Sequence, residues 1–211
     1  MTIAILGAGG HGKVVCDAIL SMGIPAADLI GFIDDDPQMV GRTVMGLPVL
    51  ASLGELDLDR SVRVALGIGD NAARRRQFEQ AIALGYEPLT VVHARAVVGA
   101  GCTLGRGVVM FANAVMNPDS HIGDNVILNT ACSVDHDCRI GAHAHIAPGV
   151  RLGGGVTVGE ETLIGIGSAI SPYTSVGSRT IVGAGSAVVE NIESDCVAVG
   201  VPARIIKRRN S

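Results

Sequence analysis

The sequence predicts a small α/β domain over residues 1–88, followed over residues 89–211 by a parallel β-helix built from hexapeptide repeats. Three observations carry this. Every sixth residue from Val92 to Val188 is aliphatic, seventeen positions in a row. At 48% apolar residues, chance alone would give such a run with a probability on the order of 10⁻⁶. Two places before each of these, from Ala96 to Ser186, stands a small or β-branched residue. Before residue 89 the pattern changes to apolar runs of strand length alternating with helix-like segments, the signature of a small parallel sheet.

The elements follow in order. Thr2–Leu6 reads as a buried strand, Gly7–Gly12 as a loop and Lys13–Met22 as an amphipathic helix. Leu29–Ile33 is a second strand, ending in Asp34-Asp35-Asp36-Pro37, and Val62–Ile68 a further one. Asn71–Leu84 reads as a helix with Arg74, Arg75 and Arg76 near its start, and Leu89–Val92 joins the two domains. In the repeat, alternation within each short strand points the aliphatic and the small-residue rows to one side, where they stack with their equivalents in neighbouring coils. Nine of the aliphatic residues are followed directly by Gly, which is expected to let the chain turn its corners. Cys102, Cys132 and Cys138 fall in the small-residue row and read as core filler. The tail, Gly200 to Arg209, reads as short and basic.

Composition excludes several function classes. Only Phe32, Phe78, Tyr86, Phe111 and Tyr173 are aromatic, too few for the stacking platforms of single-strand nucleic-acid binders. A net charge of −4 opposes binding to a phosphate backbone. No apolar run is long enough to span a membrane, and the first residues lack the basic region of a signal peptide. Five cysteines without a C-x-x-C pair read as free thiols of a reducing cytosol, so a cytoplasmic protein is expected.

Three segments carry possible chemistry. Gly7-Ala8-Gly9-Gly10-His11-Gly12-Lys13 fits G-x-G-x-x-G between a strand and a helix, with Asp34 and Asp35 at the distance of the ribose-binding acid. It nearly fits the P-loop as well, but Val14 stands where Ser or Thr would hold Mg²⁺. Fewer than 90 residues precede the repeat, which is room for half a dinucleotide fold. That favours the phosphates of a nucleotide-linked substrate, met by amides at the helix N-terminus, over NAD; a tight turn without a ligand is the alternative. Asp135-His136-Asp137 interrupts the repeat with titratable side chains the repeat does not require. A carboxylate beside an imidazole favours its protonated form and makes it a better proton acceptor, so His136 is a candidate general base; a solvated pair is the alternative. His143 and His145 alternate with Ala144 and are expected to face outward from one strand, but with His136 they do not match the spacing of β-helix zinc sites, and no metal is expected.

The run Asn129-Thr130-Ala131-Cys132-Ser133-Val134-Asp135-His136-Asp137-Cys138-Arg139-Ile140-Gly141, followed by His145-Ile146-Ala147-Pro148-Gly149, resembles the hexapeptide-repeat sugar acetyltransferases. The similarity is to the branch containing sialic acid O-acetyltransferases and N-acetyltransferases of nucleotide-linked 4-amino sugars. Gly7–Lys13, Phe32-Ile33-Asp34-Asp35, Gly67-Ile68-Gly69-Asp70-Asn71 and Gly200-Val201-Pro202-Ala203-Arg204 match it too. The resemblance implies an N-terminal half-Rossmann domain before a left-handed β-helix, a homotrimer, and acetyl-CoA as co-substrate. It implies that His136 is the base, that Asp137 polarises it from a position often occupied by Glu, and that the Gly154 amide faces the thioester oxygen. It assigns His145, Ile166 and Ala184 to acetyl-CoA with Asn129 nearby, and Gly9, Gly10, His11, Asp34, Asp35 and Gly69 to the nucleotide-sugar pocket. Arg204 and Lys207 of the basic tail are candidates for the CoA phosphates. The expected activity is acetyl transfer to the amino group of a nucleotide-linked sugar, held in a cleft between adjacent β-helices, in surface glycan biosynthesis. Its rivals are O-acetylation of a sugar, a non-catalytic nucleotide-binding trimer, and a metal-dependent hydratase.

Overall fold

A computed structural model describes residues 2–56 and 58–209. The chain divides into two compact units, Met1–Ala94 and Arg95–Ser211. Among the described residues no helix is long and apolar enough to cross a membrane.

The first unit is a six-stranded sheet. Its strands are β1 (Ile3–Leu6), β2 (Leu29–Ile33), β3 (Thr43–Val44), β4 (Leu47–Leu50), β5 (Arg63–Leu66) and β6 (Glu87–Pro88), in the order β3-β4-β2-β1-β5-β6. All neighbours are parallel except the β3–β4 hairpin. Helices α1 (Gly10–Ser21) and α2 (Asn71–Ala83) follow β1 and β5. The hairpin escaped the sequence reading because its turn is Met45-Gly46, both with positive φ, and Met is not a residue that announces such a turn. Helix α1 begins three residues before its expected start, so Gly10, His11 and Gly12 form its first turn instead of a loop. Gly12 is required there: a Cβ would lie 2.0 Å from the Gly7 carbonyl oxygen.

The second unit is a left-handed parallel β-helix. Paired residues are 18 apart, as in Val109↔Ile127, Ser133↔Arg151 and Arg139↔Thr157, so each coil holds three hexads and three faces. The first face runs from Val109–Met110 to Ile181–Val182, the second from Val97–Val98 to Ala187–Val188, and the third from Thr103–Leu104 to Ser175–Val176. From Met110 to Val188 every aliphatic of the row is buried, at about 1.5–3 kcal/mol per fully buried side chain. The row is not buried at its start. Val98 is 43% exposed, because its strand is the edge of the second face and has a neighbour on one side only. Several polar members of the small-residue row are satisfied one coil away. Ser120, Thr162 and Ser168 donate to the carbonyls of Asp135, Gly177 and Gly183, and the Cys138 thiol to that of Gly153.

The corners correct the glycine expectation. Positive φ recurs at every sixth residue from Gly101 to Gly185, three places after each aliphatic, and most of these positions are not glycine; Asn113, Asp119, Asn125, Asp137, His143 and Tyr173 are among them. The glycines directly after the aliphatics serve a different need. A Cβ on Gly123, Gly141 or Gly165 would lie 2.6–2.7 Å from a backbone nitrogen of the next coil, so the stacking of coils leaves them no side chain. Nor is the tail loose: Ala203–Arg208 pairs antiparallel with Cys196–Gly200, which extends the first face beyond Ile181–Val182.

Candidate active site

His136 stands at the edge that follows the second face. The strand Ser133–Val134 ends there, and Asp137, with φ of 60°, turns the chain toward the third face. Asp tolerates this left-handed conformation better than most residues. The turn sets its carboxylate beside the imidazole, with Oδ2 2.7 Å from Nδ1, so the short Asp side chain reaches the ring. That hydrogen bond raises the pKa of His136; partial desolvation opposes it, and the charges of Asp135 and Asp137 add to it. Asp135 accepts from Asn117 Nδ2 at 2.8 Å and from the His136 backbone N–H at 2.9 Å, and these bonds hold its carboxyl below the usual range. With Nδ1–H donated to Asp137, a neutral His136 keeps Nε2 as a bare acceptor.

Gly154 lies one coil on, buried beneath this ring. A Cβ at Gly154 would lie 2.5 Å from Cε1 and 2.6 Å from Nε2 of His136, so the ring occupies the space a side chain would take. Its backbone N–H sits at the register that the ladder leaves unpaired. Pro118 and Pro172 fill that register one coil before His136 and one coil after Gly154, and at His136 itself the Asp135 carboxylate takes the N–H. Among the described residues no acceptor bonds the Gly154 N–H. A backbone donor without an acceptor and a basic ring nitrogen thus belong to adjacent coils at one corner.

The residues assigned to the coenzyme gather elsewhere. Asn129 Nδ2 donates to His145 Nε2 at 3.0 Å. Ile166, 60% exposed, and Ala184, also exposed, stand 18 residues apart on the edge between the first and second faces. One chain therefore carries the His136 set on one edge of the second face and the Ile166 set on the other. Arg204 and Lys207 are exposed on the terminal hairpin, where Arg204 lies 3.9 Å from Glu190. His143 does not share a strand with His145: it is a corner residue, φ 61°, with Nδ1 2.9 Å from the Asn125 amide. Among the described residues no group of three or more His, Cys, Asp or Glu is placed to hold a metal.

In the first unit, Gly9 caps α1 and Gly10 begins it, both with open space where a side chain would be. Asp34 ties the glycine loop, accepting from the Ala8 N–H at 2.7 Å and from the Asp36 N–H at 3.0 Å. Asp35 accepts from Gln77 at 2.5 Å. His11 faces Gly69, whose Cβ would meet the ring at 3.9 Å. Burial, with Arg74 adding to it, pushes the His11 pKa down to about 4. Arg74 is fully buried and donates to the carbonyls of Ile68 and Gly69 and to Asn71 Oδ1. A cleft of about 180 Å³ opens at the carboxyl ends of β1 and β2, lined by Gly7, Asp34, Asp35, Ile68, Arg76 and Gln77 among others. The sequence reading did not single out Arg76 or Gln77 as binding residues. The one available signal was the Arg run at the start of α2.

Residues 2–81 match the family profile of the PglD N-terminal domain, and residues 119–154 that of the bacterial transferase hexapeptide (six repeats). No curated protein matches the chain. Among solved structures, the acetyltransferase domain of PglB from Neisseria gonorrhoeae is 36% identical with a TM-score of 0.90, over 97% of this chain and 99% of that one; it has also been solved with acetyl coenzyme A. PerB from Caulobacter crescentus, solved with CoA and GDP-perosamine, is 37% identical with a TM-score of 0.91, over 98% of each chain. WeeI from Acinetobacter baumannii, 21% identical with a TM-score of 0.71 over 98% of this chain and 100% of that one, shares the fold. Similarity at this level along nearly the whole length, with a profile match in each unit, makes the chain a member of the hexapeptide-repeat sugar acetyltransferases, and an acyltransferase.

Proposed function

We propose that this protein transfers the acetyl group of acetyl-CoA to the amino group of a nucleotide-linked amino sugar, with His136 as general base. The observation that carries the reading is the His136 ring lying over Gly154, with Nδ1 engaged by Asp137 and Nε2 2.6 Å from the place a Gly154 Cβ would take. The amine nitrogen attacks the thioester carbonyl, and its proton passes to His136 Nε2. The carbonyl oxygen takes up negative charge opposite the Gly154 N–H, an interaction worth about 3–4 kcal/mol in other enzymes. The C–S bond then breaks, and the departing thiolate takes the proton back from the imidazolium. The N-terminal unit supplies the nucleotide site, with Asp34 and Asp35 at the cleft and Gly9, Gly10, His11 and Gly69 beside it.

A homotrimer accounts for the separation of the two residue sets. The base and the Ile166–Ala184 row occupy opposite edges of the second face, so a threefold arrangement of parallel prisms brings one edge of each copy against the other edge of its neighbour. Asn129, His145, Ile166 and Ala184 of a neighbouring copy would then hold the donor against His136. A similar protein from Caulobacter crescentus, 38% identical, is a perosamine N-acetyltransferase solved with CoA and GDP-perosamine, which supports N-acetylation over transfer to a hydroxyl.

The test is release of free CoA thiol from acetyl-CoA with GDP- and UDP-linked 4-amino sugars, and with their 4-hydroxy counterparts. Turnover is expected with an amine and not with the hydroxyl. His136→Ala is expected to lower kcat by roughly 10²–10⁴, whereas His143→Ala, on a different edge, retains activity. An active His136→Ala enzyme, or acetylation of the hydroxyl sugars alone, would overturn the reading.

A further inference from the structure

Tyr173 is not explained by packing. It is 78% exposed, while Phe32, Phe78, Tyr86 and Phe111 are each at most 4% exposed. It occupies a corner with φ of 57°, a conformation an aromatic residue adopts against its steric preference. Yet the ring is held in place. Its Cδ1 and Cε1 would lie 2.5 and 2.8 Å from a Cβ on Gly155, so it rests on a glycine that leaves it room. The backbone links this corner to the site: Gly155 N–H donates to the His136 carbonyl at 2.8 Å, and Tyr173 N–H to the Gly154 carbonyl at 2.8 Å.

Height along the stack says what the ring meets. Coils are about 4.8 Å apart, and each 18 residues is one coil. Gly154 marks the level of the thioester in the proposed reaction, and Ile166 and Ala184 mark successive levels of the donor toward the C-terminal end. Tyr173 lies between those two levels on the edge that bears His136. Equivalent residues of parallel, threefold-related prisms share a height, so in the trimer proposed above the ring of one copy would face the Ile166–Ala184 row of its neighbour. We infer that Tyr173 is a binding residue for the pantetheine arm of acetyl-CoA, its ring face against the arm's methylene and methyl groups. This rests on the reading of His136, the Ile166–Ala184 row and the trimer given above.

Tyr173→Ala and Tyr173→Phe in the full chain separate the possibilities. Tyr173→Ala should raise the KM for acetyl-CoA and weaken CoA binding by calorimetry about tenfold, leaving the KM for the amino sugar and the oligomeric state by light scattering as in the wild type. Tyr173→Phe, which keeps the ring, should restore CoA binding to within about threefold. Unchanged CoA binding in Tyr173→Ala, a rise confined to the KM of the sugar, or dissociation of the oligomer would each overturn the assignment. Failure of the underlying reading has a separate mark, a wild-type enzyme that does not bind CoA at all.

Discussion

Replacing Gly154 by Ala adds one methyl group to the candidate site and little else. The methyl would stand 2.5 Å from Cε1, 2.6 Å from Nε2 and 3.1 Å from Nδ1 of His136. Relaxed contacts between such atoms are about 3.5–4.0 Å, so the ring must withdraw by about 1 Å. It is free to do so: the side chain is 49% exposed, and Gly154 itself lies outside the left-handed region. The fold should therefore survive, with a stability change below about 1 kcal/mol. The base is then displaced from the place where it meets the substrate amine in the proposed reaction, and a misplacement of about 1 Å costs about 10²-fold in rate. Thiol-release kinetics and a thermal melt on the same preparation measure both quantities. Gly155→Ala is the contrast: its φ of +69° and its contact with Tyr173 should lower stability by about 1 kcal/mol. A Gly154→Ala enzyme with kcat within about threefold of wild type would show that the ring position over Gly154 has no part in turnover.

Asp137→Asn tests the carboxylate. The base must be neutral, so the rate falls as pH drops through the raised pKa of His136; losing the Asp137 bond lowers that pKa and should move the acid limb of the kcat/KM profile to lower pH, and an unmoved limb refutes the pairing. His11 makes the N-terminal unit sensitive to acid. Its folded pKa of about 4 lies below the ordinary 6.5, so the unfolded chain takes up the proton first, and stability is lost as pH falls from about 6.5 and levels off below about 4. At about 1.4 kcal/mol per pH unit the loss is about 3 kcal/mol. It should disappear in His11→Gln when denaturant midpoints are compared at pH 7 and pH 4; parallel losses in both proteins would refute it. Ile140, 3% exposed in the aliphatic stack, should not tolerate Asp, which places an unpaired charge in a dry core at a cost of several kcal/mol; a cooperative melt close to wild type would contradict that packing.

How much was legible follows from the range of each interaction. A period of six over nearly a hundred residues can be read without knowing the coil, because burial repeats with the pattern itself. His136 and Asp137 are neighbours in the chain, so their pairing lay open in the sequence too. The corner glycines were misread for the opposite reason. What forbids a side chain at Gly123 or Gly141 is backbone 18 or 19 residues away, and no local pattern reports it. The turn residues in their place, such as Asn113, Asn125 and Asp137, are types that carry positive φ at low cost, which was a weak signal available to be used.

The amino-acid sequence alone determined the two-part architecture, the aliphatic core of the β-helix and the Asp135-His136-Asp137 cluster, since each depends on residues close in the chain or repeated along it. Tertiary structure alone decided that a coil is three hexads long. That single number puts Gly154 under His136 and Tyr173 against Gly155, and it separates Ile166 and Ala184 onto another edge. It also turned the basic tail into a strand of the terminal hairpin and spent Asp34 on the Ala8 amide. These are contacts made by stacking and crossing of the chain, where position in space, not order in the sequence, sets which groups can touch.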